Sequence, residues 1–106
     1  MEDFMRVNIV DISDFELLIQ DWAVERNIYA ESNPIAQAEK TREVLNELIK
    51  GITNGDREDI KDAVGDMMVT LVNVNFYYKL GLMECSEHAY NEIRARTRTI
   101  CKRGSK

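Results

Sequence analysis

Apolar residues recur every three or four positions through most of this chain, the spacing of helices with one buried side. Phe15, Leu18, Ile19, Trp22 and Ala23 set the first such run. Ser13 followed by Glu16 reads as a capping box, so a first helix is predicted from about Ser13 to Asn27. Ahead of it, residues 1–12 read as an arm, in which VNIVDI is a short extended segment with no obvious strand to pair with. IYAESN, residues 28–33, reads as a connection. Asn33-Pro34 then supplies an N-cap and a first-turn proline, opening a second helix that Gly51 is expected to stop after Lys50. Asp56 caps a third helix running to about Leu80, with Gly81 as its terminator. Ser86 opens a fourth, continuing to about Cys101. Four helices with short connections predict an all-α, four-helix-bundle-like fold.

Length changes little in this picture. With 106 residues the chain makes one domain, 1–106. The two cysteines, Cys85 and Cys101, lack zinc-site spacing. The acidic N-terminus does not resemble a secretory signal, and no run is long enough for a membrane span, so a cytoplasmic protein with free thiols is expected.

Charge matters more. The net charge is −5, yet Arg94, Arg96, Arg98, Lys102, Arg103 and Lys106 follow the last acid, Glu92. An acidic body with a basic C-terminal tail (102–106) lacks the basic face expected of a duplex-DNA binder. It suits a small phosphorylated ligand held partly through a divalent cation, although basic residues also favour a helix C-terminus for structural reasons alone.

The third helix carries the sharpest signal. At roughly 100° per residue, Asp59, Asp62, Asp66, Thr70, Asn73 and Tyr77 fall on one narrow stripe, and the rest of the circumference from Ala63 onward is largely apolar. A helix apolar on so many sides needs cover, which predicts a homo-oligomer, dimer or tetramer. Its polar stripe needs a polar counterpart, and the second helix offers Glu43 and Glu47, four residues apart on one face. Four carboxylates converging from two antiparallel helices are a hard-oxygen ligand set for Mg²⁺ or Mn²⁺. The bland alternative is solvated surface charge, with Asp59 and Asp62 in an exposed first turn.

On these residues the chain resembles a known family, the all-α nucleoside triphosphate pyrophosphohydrolases of the MazG type, in their short phage-encoded single-domain form. The resemblance runs from about Asp21 to Lys102. It rests on WAVER (Trp22, Arg26), QAEK (Gln37, Lys40), EVLNEL (Glu43, Glu47), DAVGD running into MVTLV (Asp62, Gly65, Asp66), and AYNEIRAR at 89–96. No piece is specific alone; their order and spacing together are.

The resemblance implies a helical bundle, oligomeric assembly, and Mg²⁺- or Mn²⁺-dependent hydrolysis of a nucleoside triphosphate to the monophosphate and pyrophosphate. It matches Glu47 and Asp66 to metal-ligand positions; with Glu43 and Asp62, displaced by one residue, they make the expected ligand set Glu43, Glu47, Asp62 and Asp66, Glu43 or Glu47 also orienting the attacking water. It implies Trp22, Gln37, Lys40, Asn73, Tyr77, Asn91, Arg96 and Lys102 as substrate contacts, and the host cytoplasm as the location of a phage-encoded form. The chain departs from the family's Glu-x-x-Glu and Glu-x-x-Asp motifs at one position each, where Val44 and Ala63 stand and the acids Glu43 and Asp62 precede them. Two other readings follow: a homologue that binds nucleotide or a protein partner without turnover, and a helical interaction module that binds no nucleotide.

Overall fold

The computed structural model describes residues 6–96, and all regular structure among them is helical. Residues 6–10 form no helix or strand, in keeping with an extended segment that has no partner. The helices are α1 (Ile12–Glu25), α2 (Ile28–Glu31), α3 (Pro34–Asn54), α4 (Arg57–Tyr78) and α5 (Leu82–Ala95).

Four boundaries differ from expectation, each for a local reason. Asp11 rather than Ser13 caps α1; its backbone is extended and its carboxylate accepts from the Asp14 amide at 3.0 Å. A carboxylate at an N-cap satisfies an orphan amide and also opposes the helix dipole. Within the expected connection, Asn27 takes a left-handed conformation (φ 61°), and the chain winds one helical turn, α2, before Ser32. Gly51 does not stop α3, which continues to Asn54 and ends on left-handed Gly55 (φ 66°). Gly51 is instead buried where α4 begins. A Cβ there would stand 3.2 Å from Asp59 Cβ and 3.3 Å from the Ile60 nitrogen, so the missing side chain permits close approach of the two helices.

The fourth difference is at the α4–α5 corner. Lys79, in the left-handed region (φ 56°), ends α4, with the Lys79 amide bonded to the Phe76 carbonyl and the Leu80 amide to the Asn75 carbonyl. That pairing is the Schellman pattern, normally built on glycine. Gly81 is then free to be the N-cap of α5, so Ser86 lies inside that helix. The expected extension of the fourth helix to Cys101 lies beyond the described residues.

The Asn33 and Asp56 caps form as the sequence predicts, accepting from the Ala36 and Asp59 amides at 2.8 and 3.1 Å. α3 and α4 make the most extensive helix pair, and among the described residues α3 packs substantially on α4 alone. α1 and α5 pack on α4 and on each other. Ala23 and Val72 are fully buried, while Val44 and Ala63 lie within the core as well.

Candidate functional site

α3 and α4 run antiparallel in a register fixed by polar contacts. Thr41 Oγ1 donates to Thr70 Oγ1 at 2.8 Å, and Asn73 Nδ2 donates to Gln37 Oε1 at 3.3 Å. At the other end Gly51 meets Asp59 and Ile60. The predicted stripe on α4 therefore does face α3, but it divides into a buried half and an exposed half.

The buried half is saturated with internal hydrogen bonds. Tyr29 on α2 donates its hydroxyl to Asn73 Oδ1 at 2.7 Å. Gln37 Nε2 donates to Ser32 Oγ at 3.1 Å. Tyr77 donates its hydroxyl to the Tyr29 carbonyl at 3.0 Å. The Tyr29 ring stacks on Phe76 with centroids 3.7 Å apart. Burial, with Tyr77 adding to it, pushes the Tyr29 phenol up to about 12. Among the described residues no buried side-chain polar atom lacks a partner, so Gln37 and Asn73, expected as substrate contacts, are occupied in joining α2, α3 and α4.

The exposed half forms a cleft of about 420 Å³ between α3 and α4, lined by Glu47, Lys50, Asn54, Asp59, Asp62, Ala63 and Asp66. Three of the four expected metal ligands thus share one cleft. Glu43 is not among the lining residues. It stands one turn from Glu47 and about 40° farther round the helix from the α4 interface. Among the described residues no three His, Cys, Asp or Glu side chains are grouped closely enough to hold a metal ion. The closed four-acid set expected from the sequence is therefore not formed. The cleft nevertheless offers the carboxylate oxygens of Glu47, Asp59, Asp62 and Asp66 and the amide oxygen of Asn54, beside the Lys50 ammonium; such oxygens are the kind that Mg²⁺ and Mn²⁺ take. The Asp59 carboxyl is raised above its ordinary value, first by the charge of Asp56, with Asp62 adding and Lys50 opposing.

The two motif departures have a structural meaning. Val44 (9% exposed) and Ala63 (2% exposed) are both buried, and the register places them in the α3–α4 interface, where a carboxylate would need desolvation. Glu43 and Asp62, one residue earlier on each helix, are exposed.

The remaining expected contacts lie apart from this cleft. Trp22 is exposed on α1, with the Arg26 guanidinium 5.4 Å from its ring centroid. Tyr77 lines a larger cleft of about 720 Å³ beside Glu16, Gln20 and Phe76. Lys40 is exposed on α3. Asn91 is exposed on α5 and donates to the Glu87 carbonyl at 2.9 Å. Arg96 is the exposed C-cap of α5, and Lys102 lies outside the described residues. Lys50 and Asn54 were not expected in the cleft, though their spacing of three and seven residues from Glu47 puts them on its side of α3. Tyr29 and Ser32 carried no signal, because they belong to a turn that the sequence presents as a connection.

No family model matches the chain, and no solved structure matches it. The chain is 33% identical over 64 residues to an uncharacterized 18.2 kDa protein from the rep–hol intergenic region of Haemophilus phage HP1. The match covers 60% of this chain and 39% of the phage protein's length. No helix among the described residues is long and apolar enough to cross a membrane.

Proposed function

We propose that this chain hydrolyses a nucleoside triphosphate, or a related phosphorylated nucleotide, to the monophosphate and pyrophosphate in a divalent-metal-dependent reaction. The observation carrying this reading is the single cleft into which α3 and α4 place Glu47, Asp62 and Asp66. As placed they are too far apart to share an ion; turned together into the cleft, these exposed carboxylates would hold Mg²⁺ or Mn²⁺, which when bound neutralises phosphate charge and makes water more acidic. Glu47 orients the attacking water and takes its proton. The water oxygen forms a new P–O bond, the bond between the α and β phosphates breaks, and pyrophosphate leaves with the bonding electrons. Lys50, which lines the same cleft, meets the departing negative charge. The MazG-type resemblance supports the same reading, with a homo-oligomer as its form; the likeness to a phage protein bears only on the setting, for which we propose the host cytoplasm.

A second reading is favoured by one specific observation. Two of the four motif positions are occupied by Val44 and Ala63, both buried, so only Glu47 and Asp66 of the motifs bring a carboxylate to the cleft, and the chain would bind nucleotide, or a protein partner, without turnover. A nucleotide panel assayed with and without Mn²⁺, with products separated, decides between them. The hydrolase reading expects equimolar monophosphate and pyrophosphate, lost in Asp66→Asn. The binding reading expects calorimetric nucleotide binding with no product, and turnover gained in the double variant Val44→Glu, Ala63→Glu. Neither binding nor product with any nucleotide overturns both.

A further inference from the structure

The cleft of about 720 Å³ lies where α1, the end of α4 and the start of α5 meet. Its size is that of a small-molecule pocket, roughly 300–1,000 Å³. It shares no lining residue with the acidic cleft. Phe76 stands ten residues beyond Asp66, about 15 Å along α4 and on another side of it. The two clefts are separate sites.

Three features of this second cleft define its occupant. First, Phe76 offers an aromatic face. Tyr29 stacks on one side of its ring at 3.7 Å and 5°, yet Phe76 is still 38% exposed, and Leu17 and Leu80 stand in the same cleft as apolar walls. A flat ring laid on the open side extends the stack. Second, the cleft is lined by one cation, Lys79, and one anion, Glu16, and no ion pair joins them. Glu16 Oε2 accepts the Leu82 amide, and the carboxylate lies within 4 Å of where a side chain on Gly81 would begin, two residues from Lys79. Opposite charges that line one cleft and stay unpaired fit a ligand that carries both. Third, Lys79 is held against backbone preference. It is left-handed (φ 56°) at a helix end where glycine is normal. Glycine would end α4 without strain but would leave the cleft without an ammonium.

We infer that this cleft binds a small aromatic zwitterion of the α-amino-acid kind, its ring on Phe76 between Leu17 and Leu80, its carboxylate on Lys79 and its ammonium on Glu16. No bond is made or broken, and no residue of the acidic cleft takes part, so a chain that hydrolyses nothing leaves the inference intact.

The test is a titration of the full chain with L-phenylalanine up to about 10 mM, read by amide chemical shifts in NMR. The expected result is saturable binding with a dissociation constant at or below about 1 mM, with the largest shifts at Lys79 to Leu82 and at Glu16 to Gln20. Phenylacetate and phenethylamine, which each lack one charge, should bind about 10-fold or more weakly, the worth of a charged hydrogen bond. L-Leucine, which lacks the ring, should bind at least about 3-fold more weakly. Lys79→Gly keeps the left-handed helix end and removes the ammonium; Glu16→Gln keeps an acceptor for the Leu82 amide and removes the charge. Each should weaken L-phenylalanine about 10-fold or more, while Asp66→Asn in the acidic cleft binds it like the parent. Should Glu16→Gln lose helicity by circular dichroism, Lys79→Gly carries the test alone. No saturable shift at about 10 mM, single-charge analogues that bind as tightly, a Lys79→Gly chain that binds like the parent, or binding lost in Asp66→Asn overturns the inference.

Discussion

Glu16 on α1 accepts the backbone amide of Leu82, the first residue of α5, at 2.6 Å. The N-cap of α5 is Gly81, which has no side chain to satisfy the first amides. Glu84 accepts the Gly81 amide at 3.4 Å, but the stronger bond comes from a residue 66 positions away. A helix start that lacks its own cap is thus completed by tertiary structure, and α1 is tied to α5. Glu16→Ala should destabilise the protein by about 1–2 kcal/mol, the range for a lost N-cap. Urea unfolding followed by circular dichroism measures this. An unchanged midpoint would show that the bond contributes nothing.

The Asn73 amide joins three elements. Its Oδ1 receives the Tyr29 hydroxyl and its Nδ2 reaches Gln37. Asn73→Ala leaves both partners without their bonds in a buried site, at a cost of about 2–4 kcal/mol. Asn73→Ala with Gln37→Leu should cost less than the sum of the two single changes, since each single change already orphans the other amide. The double-mutant cycle from chemical denaturation checks this.

Two glycines in helix interiors should respond oppositely to alanine. Gly51→Ala drives a methyl against Asp59 Cβ and the Ile60 backbone nitrogen, and should destabilise by about 1–2 kcal/mol despite alanine's better helix propensity. Gly65→Ala meets nothing within 4 Å and should stabilise by up to about 1 kcal/mol. Thermal melts of the two variants side by side give the comparison.

The Tyr29 phenol is held protonated up to about pH 12, chiefly by burial and then by Tyr77. In the unfolded chain it ionises near 10. The folded state therefore binds more protons across this window. The resulting stability is fully present below pH 10 and is lost as pH rises through 12. Stability to urea should fall between pH 10 and 12, and Tyr29→Phe should flatten that fall while lowering stability at neutral pH by about 1–2 kcal/mol for the lost bond to Asn73. Urea midpoints collected against pH read both effects.

In the cleft, Asp66→Asn removes one negative charge without changing size. Its exposure means that stability should change by less than about 0.5 kcal/mol, whereas Mn²⁺ affinity should fall at least about 10-fold. Calorimetry with Mn²⁺ alone measures this independently of turnover.

The caps at Asn33 and Asp56 and the helical class were legible because each depends on residues within four positions. The facing of α4's polar stripe toward α3 was equally legible, since helical periodicity fixes which residues share a side. The termini that depend on distant partners were not. Gly51 looks like a stop signal until α4 is seen pressed against it, and Glu16 looks like half of a local capping box until Leu82 claims its carboxylate. Likewise Asp62 and Asp66 were readable as a pair, but not their sharing a cleft with Lys50 and Asn54 while Glu43 turns aside.

By itself the sequence determined that the chain is helical, where most helices run, and that carboxylates of α3 and α4 gather along one seam. Only the tertiary structure decided which half of that seam is buried and which stays wet. The physical reason is that local patterning sets the direction of a side chain around its own helix, whereas burial depends on what a second helix brings to the same place: amides and hydroxyls that pair at one end, and charges that keep their water at the other.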